Sequence, residues 1–160
     1  MKKELLSSRQ LPKPVLYNLL SFTWLKKQIV VEVISSLLII LFIYTALSKL
    51  SNYNNFIAQL SKSPFITSYA NSIAWSIPAV EIVLSLLLVF NKTRLLGLYA
   101  SFFLMSLFTA YLVIMLNFSY YIPCSCGGVL QYLTWNEHIV FNSFFIVIAG
   151  TGVLLKENTF

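Results

Sequence analysis

Four long apolar runs separated by polar connections dominate the chain, at residues 29–47, 73–90, 95–116 and 138–155. At about 1.5 Å per residue, each is long enough to cross a hydrocarbon core of about 30 Å as an α-helix. The expected fold is therefore all-α, an integral membrane four-helix bundle formed by residues 29–156. Residues 1–28 precede it as a basic extension. In that extension Pro12 and Pro14 break the first stretch, and Leu16, Leu19, Leu20 and Trp24 recur at helical spacing before Lys26 and Lys27. The spacing suits a short helix on an anionic membrane surface, with a frayed tail as the alternative. No short apolar core with a small-residue cleavage site follows the first charges, so the N-terminus is expected to be retained.

Between the first two runs, residues 50–72 are polar, but Phe56, Ile57 and Leu60 are spaced as one face of a short helix ahead of Pro64. Such a helix would cap one end of the bundle. Ala46 and Ser48, near the end of the first run, are small enough for a second helix to approach closely. The second run carries Pro78 and Glu81, and Asn91-Lys92-Thr93-Arg94 forms a tight basic turn into the third.

Composition narrows the class. The chain is 58% hydrophobic and 10% charged, whereas soluble domains carry about 25% charged residues. Four spans leave no room for a separate soluble domain. The net charge of +6 does not point to nucleic acid, because the basic residues flank apolar runs and are not interleaved with stacking aromatics. They report topology instead. With four spans both termini share a side, which places Lys2, Lys3, Arg9, Lys13, Lys26, Lys27, Lys92, Arg94 and Lys156 on one face against Lys49 and Lys62 on the other. By the positive-inside rule the termini are expected in the cytoplasm. The connections at 48–72 and 117–137 then face outward.

The outward loop 117–137 holds both cysteines of the chain, in Pro123-Cys124-Ser125-Cys126-Gly127-Gly128. Outside the cytoplasm disulfides persist. A bridge across one residue closes a small ring with a forced turn, and such strain makes the bond easy to reduce and apt to pass oxidation on. Pro123 would fix the entry to the turn, and the two glycines would leave room for a partner chain. Cys124 and Cys126 are thus candidates for thiol–disulfide exchange. Static or idle thiols remain an alternative, as does half of a soft-metal site. A bridge over one residue staples little, however, and the only histidine, His138, is the nearest further ligand. No Lys or Arg in the loop lowers a thiol pKa, so activation would come from a helix N-terminus or another loop.

Three further residues join the candidate site. Lys49 ends the first span and Glu81 lies about two turns into the second. The long lysine stem can reach down to the carboxylate. The pair would lock two helices or, functionally, bind a quinone oxygen or relay a proton. His138 opens the fourth span just after Glu137 and titrates near neutrality, which suits a proton acceptor for a cysteine thiol. A packed, hydrogen-bonded histidine is the alternative. Glu137 itself fits the dipole of a helix N-terminus, and Glu32 reads as an interfacial charge in the first turn of its span. No metal site is expected.

Three segments together resemble the MauE branch of the DoxX-like family of small four-helix membrane proteins: Thr45-Ala46-Leu47-Ser48-Lys49-Leu50, Pro78-Ala79-Val80-Glu81, and Cys124-Ser125-Cys126-Gly127-Gly128. The similarity covers roughly residues 30–155. The resemblance implies a redox-associated protein of the bacterial inner membrane, with the cysteine pair at Cys124 and Cys126 and the intramembrane charged pair at Lys49 and Glu81. It also implies a periplasmic thioredoxin-like or thiol-containing partner, and quinone as a candidate cofactor, since other relatives are linked to quinone-coupled sulfur oxidation. The loop departs from many relatives in having Gly127-Gly128 where a bulkier residue is usual. A quinone-linked oxidase usually needs a second cysteine pair, which this chain lacks, so a partner would supply the other thiols. The rival function is a non-enzymatic subunit that anchors or assembles a larger membrane complex, for which the 16% aromatic content offers contacts. A transporter ranks last, because few midplane polar groups beyond Glu81 are in view.

Overall fold

The computed structural model describes residues 13–62, 67–118 and 134–157, with side chains described from Lys26 onward. Among the described residues five α-helices follow one another: α1 (Lys13–Ser51), α2 (Tyr53–Ser61), α3 (Ala70–Val89), α4 (Arg94–Phe118) and α5 (Trp135–Glu157), with a 3-10 turn at Thr67–Tyr69 before α3. Among the described residues, four helical segments are long and apolar enough to cross a membrane: Lys26–Ser51, Thr67–Val89, Arg94–Phe118 and Trp135–Glu157. The all-α four-span fold expected from the hydropathy pattern is therefore present. Helix α1 runs without a break through Lys26 and Lys27. The extension and the first span are one helix as far back as Lys13.

The four long helices form a ring in which α1 packs against α3 and α5, and α4 against the same two. Helices α1 and α4 scarcely touch and so lie on a diagonal. Two glycines bring the helices close. A Cβ on Gly97 of α4 would meet the Leu88 backbone and side chain of α3 at 3.1 Å. A Cβ on Gly152 of α5 would meet Ile34 Cγ2 of α1 at 3.0 Å and Leu98 Cδ2 of α4 at 3.1 Å. Lipid tails are as apolar as leucine, so close packing of this kind, not water exclusion, holds such helices together. The outward faces remain apolar, with Ile40, Phe103 and Val140 exposed, as contact with lipid requires.

Buried hydroxyls satisfy themselves locally, as they must where no water is at hand. Ser35 donates to the Val31 carbonyl at 2.8 Å, Ser85 to Glu81 at 2.9 Å and Ser101 to Gly97 at 2.6 Å. Helix α2 is the short cap that the Phe56, Ile57 and Leu60 spacing predicts. Phe56 and Leu60 are buried against Ala70 and Ala74 of α3, with Ile57 half-buried beside them. The second candidate span starts at Thr67 and not at residue 73. In its first turns Ala70 and Ala74 pack against α2, while Thr67–Tyr69, Asn71 and Ser72 stay exposed.

The basic turn after α3 is more than a topology signal. Thr93 closes it by donating from Oγ1 to the Leu87 carbonyl at 2.9 Å. Arg94 is buried. Its Nε donates to the Leu88 carbonyl at 3.1 Å, capping α3, and its two terminal nitrogens meet Glu32 Oε1 and Oε2 of α1, each at 3.3 Å. Glu32, expected as a solvated interfacial charge, is therefore half of an α1–α4 clamp at this end of the bundle. Its side chain remains 57% exposed.

Candidate functional site

The bundle core is divided along its axis. The larger apolar cluster extends on α1 from Val31 to Phe42, on α3 from Leu88 back to Leu84, on α4 from Leu98 to Met105, and on α5 from Val153 back to Ala149. The smaller cluster, Phe56, Leu60, Ala70 and Ala74, closes the opposite end. Outside these two clusters, buried polar residues stand on three helices: Thr45 and Lys49 on α1, with buried Ala46 between them, Glu81 on α3, one turn after buried Pro78, and His138 and Asn142 on α5. The fourth helix contributes buried Leu112 and Met115.

Lys49 and Glu81 meet directly, with Nζ donating to Oε1 at 2.6 Å and side chains only 6% and 2% exposed. The sequence places them thirty-two residues apart, and the antiparallel packing of α1 on α3 brings them together. Pro78, one turn before Glu81, lacks the N–H that would meet the Ala74 carbonyl, so the helix interior loses a hydrogen bond just above the carboxylate. Thr45 stands one turn before Lys49 on the face turned toward Glu81. Its hydroxyl donates to the Phe42 carbonyl at 3.1 Å. Glu81 Oε2 is buried without a hydrogen-bond partner among the described residues.

His138 is 1% exposed, and its Nδ1 is likewise buried without a described partner. It is held in place from below. Thr134 and Glu137 form a reciprocal cap at the start of α5, in which the Thr134 N–H donates to Glu137 Oε2 at 2.8 Å and the Glu137 N–H to Thr134 Oγ1 at 3.5 Å. This is the capping-box arrangement of a threonine followed three residues later by glutamate. Glu137 thus organises the helix start, and the next residue, His138, turns inward. Among the described residues, the side chains give no group of three or more His, Cys, Asp or Glu able to hold a metal ion.

Cys124 and Cys126, with Pro123, Gly127 and Gly128, lie outside the described residues. The segment that carries them joins Phe118 of α4 to Trp135 of α5. It therefore departs from and returns to the end of the bundle where Lys49 and His138 are found. Asn142 is the polar group that hydropathy alone does not single out. It is 7% exposed, one turn after His138 on the same face of α5. An amide inside a span, four residues from the only histidine, was the available signal.

Comparison with known proteins gives one finding: a family model described as methylamine utilisation protein MauE matches residues 27–155. No match was found among curated proteins or among solved structures.

Proposed function

We propose, from the premise that this chain belongs to the MauE family, that it is the membrane-embedded thiol–disulfide component of a methylamine-utilisation type of system. Its termini lie in the cytoplasm of a bacterial cell and its cysteine loop faces the periplasm. Cys124 and Cys126 exchange with a thioredoxin-like or other thiol-bearing partner. In the oxidising direction the partner's dithiol attacks the Cys124–Cys126 bridge through a mixed disulfide. The partner leaves as a disulfide, and the two electrons and two protons it loses convert the bridge to two thiols. The reverse exchange uses the same intermediate.

The observation that carries this proposal is the buried Lys49–Glu81 pair at the end of the bundle from which the cysteine segment departs. Ionisable groups inside a span are costly and mark functional positions more often than structural ones. A quinone, as a two-electron acceptor in the bilayer, fits the residues of this layer. The Lys49 ammonium has protons left to donate to a carbonyl oxygen, and Glu81 Oε2, a carboxylate oxygen that can accept from a hydroxyl, has no hydrogen-bond partner among the described residues. The role of this chain would be to hold the ring oxygens and exclude water from them.

The test is trapping. A Cys126→Ser variant retains a single thiol and is expected to accumulate a mixed disulfide with its partner, visible as a reductant-sensitive band in non-reducing gels and identifiable by mass spectrometry. Alkylation of intact cells with and without reductant is expected to show that the wild-type pair changes state. Full function in a Cys124→Ser/Cys126→Ser double variant would overturn the proposal in favour of a non-enzymatic assembly subunit.

A further inference from the structure

The Lys49–Glu81 contact joins α1 to α3, and a third buried side chain stands beside it. Thr45 is one turn before Lys49 on the same face of α1, and it too is buried. Its hydroxyl lies within hydrogen-bonding reach of the Glu81 carboxyl group. The hydroxyl proton, however, goes to the Phe42 carbonyl at 3.1 Å. Thr45 thus faces two acceptors with one proton.

The Phe42 carbonyl does not depend on that proton. In an α-helix it already accepts from the N–H four residues on, at Ala46, and α1 is unbroken there. Turning the O–H about the Cβ–Oγ1 bond therefore leaves no backbone group unmet and moves no heavy atom. Glu81 is in the opposite position. Its side chain is sealed from water, and a carboxylate there that loses its ammonium partner has no solvent to turn to. Opening the pair is costly for that reason, as breaking any buried ion pair is. A hydroxyl that swings to the carboxyl group as Lys49 leaves removes part of that cost. A valine side chain of nearly the same shape removes none of it.

We infer that Thr45 is the positioning residue of the Lys49–Glu81 pair: when the Lys49 ammonium turns to a guest, the Thr45 hydroxyl transfers its hydrogen bond from Phe42 to Glu81 and holds the carboxyl group in place. This role rests on the reading in which Lys49 donates to a quinone carbonyl oxygen, and it frees Lys49 to do so. Thr45 acts only through Glu81.

A Lys49→Met background reproduces the departed ammonium and supplies the test. The full-length protein is labelled with carboxyl-13C glutamate and placed in lipid bilayers, and the infrared band of Glu81 is isolated by subtracting the spectrum of a Glu81→Gln variant in the same background. Loss of a hydrogen bond moves the carboxylate stretch, or the C=O stretch of the protonated acid, to higher frequency. In the Lys49→Met background Thr45→Val is expected to move the Glu81 band upward, and Thr45→Ser, which keeps the hydroxyl, to leave it in place. With Lys49 present, Thr45→Val is expected to move the band far less. Unfolding in mixed micelles reads the same coupling. Thr45→Val is expected to raise the unfolding constant at least about tenfold more in the Lys49→Met background than in the wild type, the weight of a hydrogen bond to a charged group. A Glu81 band that ignores Thr45→Val in the Lys49→Met background, or an equal cost in both backgrounds, assigns Thr45 to packing and overturns the inference. A Lys49→Met protein that does not fold overturns it as well, since Thr45 is then no substitute for Lys49. Neither a cysteine nor a quinone enters these measurements, so failure here and failure of thiol exchange or quinone binding are read separately.

Discussion

The buried Lys49–Glu81 pair makes a sharp energetic prediction through a double-mutant cycle. Its side chains are 6% and 2% exposed and its contact is 2.6 Å, so neither solvent nor salt relieves whichever charge is left alone. Lys49→Met strands a carboxylate beside Pro78, and Glu81→Leu strands an ammonium. Each single change is expected to cost about 3–5 kcal/mol of stability, the range for breaking a buried ion pair. Replacing both with apolar side chains of similar volume removes the stranded charge along with its partner. The double variant is expected to fall within about 1–2 kcal/mol of wild type. The cycle should therefore give a coupling of about 4 kcal/mol or more, above the range of about 0.5–3 kcal/mol usual for residues in contact. Equilibrium unfolding in mixed micelles of increasing dodecyl sulfate content, followed by circular dichroism, supplies the four free energies. If the two single costs simply add in the double variant, within about 0.5 kcal/mol, the pair is not energetically coupled and the argument from its burial fails. A double variant that is stable yet inactive would place the pair's importance in function and not in folding.

Two further predictions follow from the packing. Gly152→Ala should lower stability modestly, because its Cβ would sit 3.0 Å from Ile34 and 3.1 Å from Leu98. Gly152→Leu should cost at least the 1–3 kcal/mol typical of overpacking, and both are measured in the same unfolding assay. At the other clamp, Arg94→Ala should cost more than Glu32→Ala. Arg94 is buried and also serves the Leu88 carbonyl, while Glu32 is more than half exposed. Arg94→Lys should not restore stability, since an ammonium cannot reach a backbone carbonyl and both carboxylate oxygens in one plane. Hydrogen exchange at the C-terminal turn of α3 reads this difference directly.

Hydropathy carried the architecture. Continuous apolar runs of about twenty residues read as helices in lipid, because a helix bonds its backbone groups within its own segment, and so the four runs were legible without any structure. The cap of α2 was legible as well, from Phe56, Ile57 and Leu60. The start of the second span was not, since Thr67 to Ser72 are mostly polar and exposed, and only Ala70 and Ala74 anchor this start against α2. Arg94 shows the same limit. A basic residue beside a span looks like a topology marker, and only the turn geometry at Thr93 directs its guanidinium to Leu88 and Glu32.

At the candidate site, sequence supplied the chemical types and the tertiary structure supplied their company. Lys49 and Glu81 were nameable as a pair because ionisable groups in spans are rare enough to seek one another. Asn142 carries a weaker signal, an amide in an apolar run four residues after the only histidine. Its significance depends on height and facing, which are set by where Gly152 locks α5 onto α1 and α4. The sequence by itself determined that this protein is a four-span helical membrane protein with a cysteine pair and an intramembrane ion pair, because composition and period act locally. Only the tertiary structure decided that Lys49 and Glu81 meet and that Thr45, His138 and Asn142 are buried and not turned to lipid, because that depends on the register between helices far apart in the chain.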